Sequence, residues 1–271
     1  RALRWRSWKG WCAMADSRAE LSAARRRDAE LRARSLPEAE LRARSEAMPP
    51  PPDFTKAFSG PGFHVIAELK RASPSEGMIR ADFEPMALAD ELAAAGAAAL
   101  SVLCEPHRFL GSEEFLSAVA RRVRIPVLYK DFVTTPYQVL AARAAGASAV
   151  LLIAAVLDAP RLDTLLELAR ELQLAALVET HDRDEIAKAL DCGARIVGVN
   201  CRDLRTFRTD PSVSAELLAG IPADRVRIAE SGLRTAEDLR ALRAAGADGF
   251  LIGTTLMRAP SPGARLRELT R

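Results

Sequence analysis

Several short apolar runs in this sequence end in charged or amide side chains. They close on Glu68-Leu69-Lys70, Glu105, Lys130-Asp131, Glu179, Asn200 with Arg202 just beyond, and Glu230-Ser231. Lysines and carboxylates gathered at one place can move protons. A lysine held among carboxylates keeps its proton, because nearby negative charge favours the ammonium form. A positioned ammonium can then protonate an oxygen that gains charge in a transition state. Residues two apart on a strand share a face, so Glu68 and Lys70 are expected to point the same way. By the same rule Lys130 shares a face with Leu128, and Glu179 with Leu177. For any single residue the competing reading is a structural ion-pair network. For a ring of such residues at one end of the molecule, function is favoured.

A second theme is anion binding. Ser231-Gly232 follows one apolar run, Gly253-Thr254-Thr255 follows another, and Ser73-Pro74-Ser75 follows the first. Glycine lets the backbone approach an anion, and helix N-termini aim N–H groups at it. Each pair alone is weak evidence, since most such pairs are ordinary caps; together, they carry more.

The elements that must position these groups are legible as a repeat. Apolar, β-branched runs occupy residues 65–70, 99–105, 127–132, 149–155, 175–180, 196–201, 227–231 and 249–253. Between them lie stretches with apolar residues at helical spacing, such as 161–172 and 236–244. Gly96-Ala97, Gly146-Ala147, Gly193-Ala194 and Gly246-Ala247 each sit just ahead of a strand run. Glycine there supplies a left-handed helix C-cap. Eight alternating strand–helix units predict an α/β fold, a closed (βα)8 TIM barrel. An open doubly wound sheet is the alternative, but no Gly-x-Gly-x-x-Gly follows the first strand. In such a barrel the C-terminal strand ends form the active face, and alternate strands contribute to one layer. The polar residues named above fall at those ends. Glu68, Lys130 and Glu179, on the first, third and fifth strands, are therefore expected to converge. Ser231-Gly232 and Gly253-Thr254 follow the seventh and eighth strands, where barrels often bind phosphate.

Ahead of the barrel, residues 16–47 are rich in Arg, Glu, Ala and Leu and read as one or two helices, with Pro37 as a break or first-turn residue. Pro49–Pro52 form a stiff linker, and Phe54 and Phe58 begin another short helix. The expected organisation is an atypical, disordered segment over 1–13, a helical extension with its linker over 14–62, and the catalytic barrel over 63–271. Trp5, Trp8 and Trp11 lie in the first segment with Arg1, Arg4, Arg6 and Lys9. A membrane-surface or targeting role is one reading of it; an extension ahead of a natural start at Met14 is the favoured one.

Composition narrows the function classes. A chain of 271 residues that is 49% hydrophobic can bury one barrel core. Its 39 basic and 36 acidic residues are interspersed, without the basic stripe of a nucleic-acid binder. No apolar run approaches the roughly 18 residues of a membrane span. Cys12, Cys104, Cys192 and Cys201 form no C-x-x-C pair, and His64, His107 and His181 have no metal-ligand spacing. No metal is expected, and the cysteine usage fits a reducing, cytoplasmic setting.

At these residues the sequence closely resembles the indole-3-glycerol-phosphate synthase family of tryptophan biosynthesis. The matching stretches include VIAELKRASPSEGMIR (65–80), LSVLCEP (100–106), PVLYKDF (126–132), LVETHD (177–182), GVNCRDLRTF (198–207), AESGL (229–233) and LIGTTLMR (251–258). They span nearly the whole barrel, and the helical segment near residues 17–47 looks like the family's N-terminal extension. The AELKRASPS and NxRDL segments are the most specific.

The resemblance implies conversion of 1-(2-carboxyphenylamino)-1-deoxyribulose 5-phosphate to indole-3-glycerol phosphate, carbon dioxide and water, with no cofactor or metal. It makes Lys130 the principal general acid and Glu179 the acid/base partner of later steps. Lys70 becomes a ligand of the substrate carboxylate and a candidate second proton donor, and Glu68 orients the lysines. Asn200 and Arg202 fall near the aromatic carboxylate, and Glu230 in the substrate pocket. Ser73, Ser231, Gly232, Gly253 and Thr254 fall on the phosphate side. The implied partner is a small phosphorylated substrate, with no nucleic acid and no membrane. The implied state is a monomer or weak homodimer, with association with other tryptophan-pathway enzymes left open.

The sequence departs from the family pattern in places. Leu110 stands where Gly or Gln is usual, Cys104 replaces a common Thr, Cys201 a common Asn or Ser, and Thr254 a common Ser or Glu. None removes a presumed catalytic group. Phosphoribosylanthranilate isomerase, a sister barrel of the pathway, is disfavoured because the AELKRASPS and NCRDL segments match the synthase, and two further readings compete. One is a class I aldolase-type barrel with a Schiff base on Lys130, which wants a lysine of lowered pKa. The other is a barrel kept for phosphate-ligand binding or as a scaffold, against which the intact set Lys70, Lys130 and Glu179 argues.

Overall fold

The computed structural model describes residues 17–200 and 211–271. Residues 1–13 and Arg202, singled out above, lie outside the described residues. Eight parallel strands close into a barrel: β1 His64–Leu69, β2 Ala99–Leu103, β3 Val127–Lys130, β4 Ala149–Ile153, β5 Ala175–Thr180, β6 Ile196–Asn200, β7 Val226–Glu230 and β8 Gly249–Ile252. Each strand pairs with its sequence neighbours, and β8 pairs back to β1, with Ile66 opposite Leu251. A small antiparallel hairpin, Ala72–Ser73 with Gly77–Met78, follows β1. The strands stop short of several of the apolar runs. Glu105 and Asp131 thus belong to loops, because each is drawn into side-chain bonds beyond its strand.

Helices α3 Pro85–Ala94, α4 Glu113–Arg122, α5 Pro136–Ala144, α6 Ala159–Glu171, α7 Arg183–Asp191, α8 Pro211–Ala219 and α9 Ala236–Ala244 alternate with the strands, and α10 Thr254–Met257 and α11 Pro262–Leu269 close the chain. The expected left-handed glycines are present: Gly146 has φ 93° and Gly246 φ 107°. After α6 the same left-handed place is taken by Gln173, at φ 59°, so this joint carries no glycine signal.

The extension forms two helices, α1 Ser17–Ser35 and α2 Glu38–Glu46, with Pro37 as the N-cap of the second. Pro37 has no N–H to lose and pre-sets φ, so it breaks the first helix and starts the next. The linker beyond is pinned by buried Arg143, whose Nη2 donates to the carbonyls of Met48 (3.0 Å) and Pro49 (2.7 Å). The expected short helix is a single 3-10 turn, Lys56–Phe58. It places Phe58 at the N-terminal end of the barrel, against the start of β8. A Cβ on Gly249 would lie 2.6 Å from the Phe58 ring, so glycine is what admits the plug. Phe54 stacks edge-on against Phe58, with ring centroids 5.2 Å apart.

Above this plug the barrel interior is apolar. Ile66, Leu128, Leu177 and Ile228, one from each odd strand, are fully buried together. They form one layer of a packed barrel core. Each lies two residues before a polar residue: Glu68, Lys130, Glu179 and Glu230. Strand alternation therefore lifts those four side chains into the next layer, at the barrel mouth.

Candidate active site

The polar layer is built from the odd strands, as the three-strand expectation required, with Glu230 of β7 completing it. Lys130 Nζ is its centre. It donates to Glu230 Oε2 at 3.1 Å and lies 3.5 Å from Glu68 Oε2 and 3.8 Å from Glu179 Oε2. Lys70 pairs with the other oxygen of Glu68 at 2.5 Å. All three carboxylates are buried. Burial opposes the charge on Lys130, but Glu230, Glu68 and Glu179 outweigh it and raise the ammonium's pKa. Burial likewise opposes ionisation of Glu68, and the two lysines overcome it and lower its pKa.

Glu179 and Glu230 differ although they are neighbours. Burial disfavours the charge on Glu179, yet the N–H that His181 presents to it, the charges of Lys130 and His181, and a hydrogen bond from Asn200 bring it down to about 2. Glu230 is pushed up to about 7, first by burial and then by the facing Glu179, with Lys130 pulling the other way. The two acids are thus pushed in opposite directions, Glu179 toward the ionised form and Glu230 toward the protonated one.

The mouth opens on a cavity of about 700 Å³. One wall is apolar, with Leu103, Phe109, Phe132 and Leu251 among its residues. Phe109 and Phe132 have ring centroids 6.2 Å apart, which gives a surface suited to a flat aromatic ring. Ser73, Ser231, Gly232, Gly253 and Thr254 line the same cavity. Ser231 and Gly232 are consecutive left-handed residues, at φ 66° and 73°, which turns the backbone sharply at the end of β7. Thr255 donates its hydroxyl to the Leu233 carbonyl at 2.6 Å, tying the last two loops together. Gly253 has a further use. A Cβ there would overlap Glu68 Oε1 and lie 3.0 Å from Lys70 Nζ. Its bareness makes room for the charged pair.

Two polar strand-end residues do not join the site. Glu105 accepts the backbone N–H groups of His107 and Arg108, at 2.7 Å each, and of Phe109 at 2.9 Å, fixing the loop after β2. That loop places Leu110 at φ 54°, a conformation that suits glycine and explains why Leu is unusual there. Asp131 turns outward to Arg25 of α1, which is the structural ion-pair reading realised. Conversely, sequence reasoning passed over His181, Phe109 and Phe132. His181 stands two residues after Glu179 at the same strand end, a spacing that could have flagged it.

Residues 19–269 match the family described as indole-3-glycerol phosphate synthase. The chain belongs to the indole-3-glycerol phosphate synthase family. An indole-3-glycerol phosphate synthase of Koribacter versatilis is 51% identical over 208 residues, covering 77% of this chain and 80% of that protein. One of Lachnoclostridium phytofermentans is 46% identical over 216 residues, covering 80% of each. Among solved structures, 3-hexulose-6-phosphate synthase of Salmonella typhimurium aligns with a TM-score of 0.63 over 76% of this chain and 96% of that one. At 14% identity that likeness shows the shared barrel alone. Membership in the indole-3-glycerol phosphate synthase family makes the chain a decarboxylating lyase of tryptophan biosynthesis. It also weighs against the aldolase reading, as does the lysine itself. A Schiff-base lysine needs a lowered pKa, and Lys130 is surrounded by carboxylates that raise it.

Proposed function

We propose that this cavity closes the indole ring of 1-(2-carboxyphenylamino)-1-deoxyribulose 5-phosphate, with Lys130 as the general acid. The observation that carries the reading is one ammonium held by three buried carboxylates at the mouth of a cavity that Phe109, Phe132, Ser231, Gly232 and Gly253 also line. The phosphate sits among Ser73, Ser231, Gly232, Gly253 and Thr254, and the benzoate ring lies against Phe109 and Phe132. Lys70 and Asn200, with Arg202, hold the carboxylate end, and Glu68 orients both lysines. The ring carbon bearing the carboxylate attacks the sugar carbonyl, and its oxygen takes a proton from Lys130. The bond to the carboxylate then breaks, carbon dioxide leaves and the electron pair restores the ring. The new hydroxyl departs as water with a second proton, donated by Lys70 once the carboxylate it held has left, and Glu179, ionised, accepts the proton left on carbon. Fixing the flexible sugar chain against the ring supplies the proximity term.

The free thiols of Cys104 and Cys192 support a reducing, cytoplasmic setting. No described helix is long and apolar enough to cross a membrane. The exposed large apolar residues Leu31, Met78, Met86 and Val213 sit on four separate segments, which supports a monomer or weak homodimer.

The test is indole-3-glycerol phosphate formation by wild type and Lys130→Met. Turnover in wild type and a loss of roughly two or more orders of magnitude in the variant are expected for a missing general acid. Turnover that survives the change moves the acid to Lys70. No turnover from folded wild type sinks the reading.

A further inference from the structure

We infer that His181 is a positioning residue that, as an imidazolium, decides which of the two neighbouring carboxylates, Glu179 or Glu230, is ionised. The inference rests on the proposed reaction, in which Glu179 is the base, and deepens it by assigning the proton between Glu179 and the facing Glu230. His181 follows β5 directly. Its Nε2 lies 3.4 Å from Glu179 Oε1, and its Nδ1 lies 3.0 Å from Glu185 Oε2. The same Glu185 oxygen accepts the His181 backbone N–H at 2.8 Å. Glu185 is itself fixed in the first turn of α7, where its N–H donates to Asp182 Oδ1 at 2.8 Å.

Each ring nitrogen therefore faces a carboxylate oxygen. A neutral imidazole can donate from only one nitrogen, which would leave a lone pair aimed at the other carboxylate. The doubly protonated ring presents an N–H to each: it hydrogen-bonds Glu185 and lies in ion-pair contact with Glu179, without a hydrogen bond there. One cation acts against it: Arg18 of α1 brings Nη1 to 3.4 Å from Nδ1 and could donate only to an unprotonated Nδ1, but the Glu185 oxygen is nearer to that nitrogen, at 3.0 Å. Among the described residues, the charged groups facing the ring are thus Glu179 from β5, Glu185 from α7 and Arg18 from α1. Asn200 of β6 and Lys130 of β3 act on the far side of Glu179.

Glu230 has no comparable support. Its Oε2 takes the Lys130 hydrogen bond, and its Oε1 is buried without a hydrogen-bond donor. Glu179 has cations on two sides, Glu230 on one. When a single proton is shared between them, it rests on Glu230. The protonation equilibria agree. Burial lowers the His181 pKa, and its contacts with Glu179 and Glu185 more than restore it, to about 9.

Two measurements test this. The first is kcat/KM against pH for wild type, His181→Gln and Glu185→Gln. Gln can still donate to Glu179 but carries no charge. The acid limb of His181→Gln is expected at least one pH unit above that of wild type, with activity above pH 8 within about tenfold. Glu185→Gln is expected to leave the acid limb near that of wild type, because the ring stays protonated there, and to lower the pH at which His181 itself loses its proton. A uniform loss with an unmoved profile would mean a merely structural role and overturn the inference. The second needs no turnover: the 15N shifts of the His181 ring in folded wild type at pH 7.5. Two protonated nitrogens are expected, and a neutral ring would overturn the inference. Absent turnover from wild type with an imidazolium present would count against the proposed reaction, not against the charge state of His181.

Discussion

Gly198 of β6 lies beneath Glu230 of β7: a Cβ on Gly198 would overlap Glu230 Oε1 and come within 3.2 Å of Leu177 Cδ1. The carboxylate occupies the space that any other residue's side chain would need. Gly253 stands in the same relation to Glu68 and Lys70. The odd strands supply the charges, and bare positions on or just past the even strands let those charges cross toward Lys130.

Gly198→Ala is therefore expected to push Glu230 off Lys130 without unfolding the barrel. The cost in stability should be about 1–3 kcal/mol, the usual range for overpacking, because buried Leu177 leaves no slack. The loss in kcat should exceed the change in KM, since the displaced group acts on protons and not on the phosphate. Steady-state kinetics with urea unfolding would check both. A variant with wild-type kcat would mean that Glu230 can relocate freely and has no fixed part in catalysis.

The raised pKa of Glu230 has a consequence for stability. At about 7 it lies above the ordinary carboxylate value of 4.5, so the folded chain holds this proton more tightly than the unfolded one. Between those values the native state binds the extra proton and stability falls as pH rises; above pH 7 the full cost is present. Glu230→Gln removes the charge and should stabilise the protein at pH 8 by on the order of 1–3 kcal/mol, and by much less at pH 5. Unfolding of both proteins at the two pH values measures the difference directly. A gain that shrinks toward pH 8 would mean that Glu230 is ionised at little cost, and the assignment of the shared proton would fail with it. The same variant should lower turnover, because it removes one of the charges that hold the Lys130 ammonium.

Much of this architecture was legible beforehand because it follows from local rules. The strand runs, the glycine-capped helix ends and the polar strand ends repeat, and strand alternation places Glu68, Lys130 and Glu179 in one layer. Glu230 was visible as a strand-end carboxylate. That it faces Glu179 depends on barrel closure, which sets the stagger between β5 and β7. Glu105 and Asp131 look like Glu179 in the sequence. Their fates are decided by partners far away or by loop amides: Asp131 by Arg25, more than a hundred residues earlier, and Glu105 by the turn it organises. A lone histidine at a strand end has no pattern of its own, so only its spacing from Glu179 points to His181 in the sequence; its surroundings are set by Glu179 two residues before it and Glu185 one helical turn later. The joint at Gln173 shows the reverse case, a left-handed cap without the glycine that would announce it.

The clamp on Asp131 leads to a last prediction. Arg25 of α1 donates to Asp131 from Nε at 3.0 Å and from Nη2 at 2.7 Å, and Tyr129 adds its hydroxyl at 3.0 Å. Asp131 is buried and directly follows Lys130. Arg25→Met would leave that carboxylate without its cation, and breaking one side of a buried pair typically costs about 3–5 kcal/mol. Arg25→Met with Asp131→Asn removes both charges and should recover most of that loss, because the uncompensated charge and not the missing attraction is the larger part. Exposed Arg122 and Asp90 are joined by similarly short bonds, yet solvent screening should make Arg122→Met nearly silent. Chemical unfolding of the single and double variants gives the coupling. The activity of the double variant gives something further, namely whether α1 serves Lys130 through this charge pair or only through packing. Stability restored with kcat still depressed would mean that the ion pair aims the end of β3; if both return together, packing suffices.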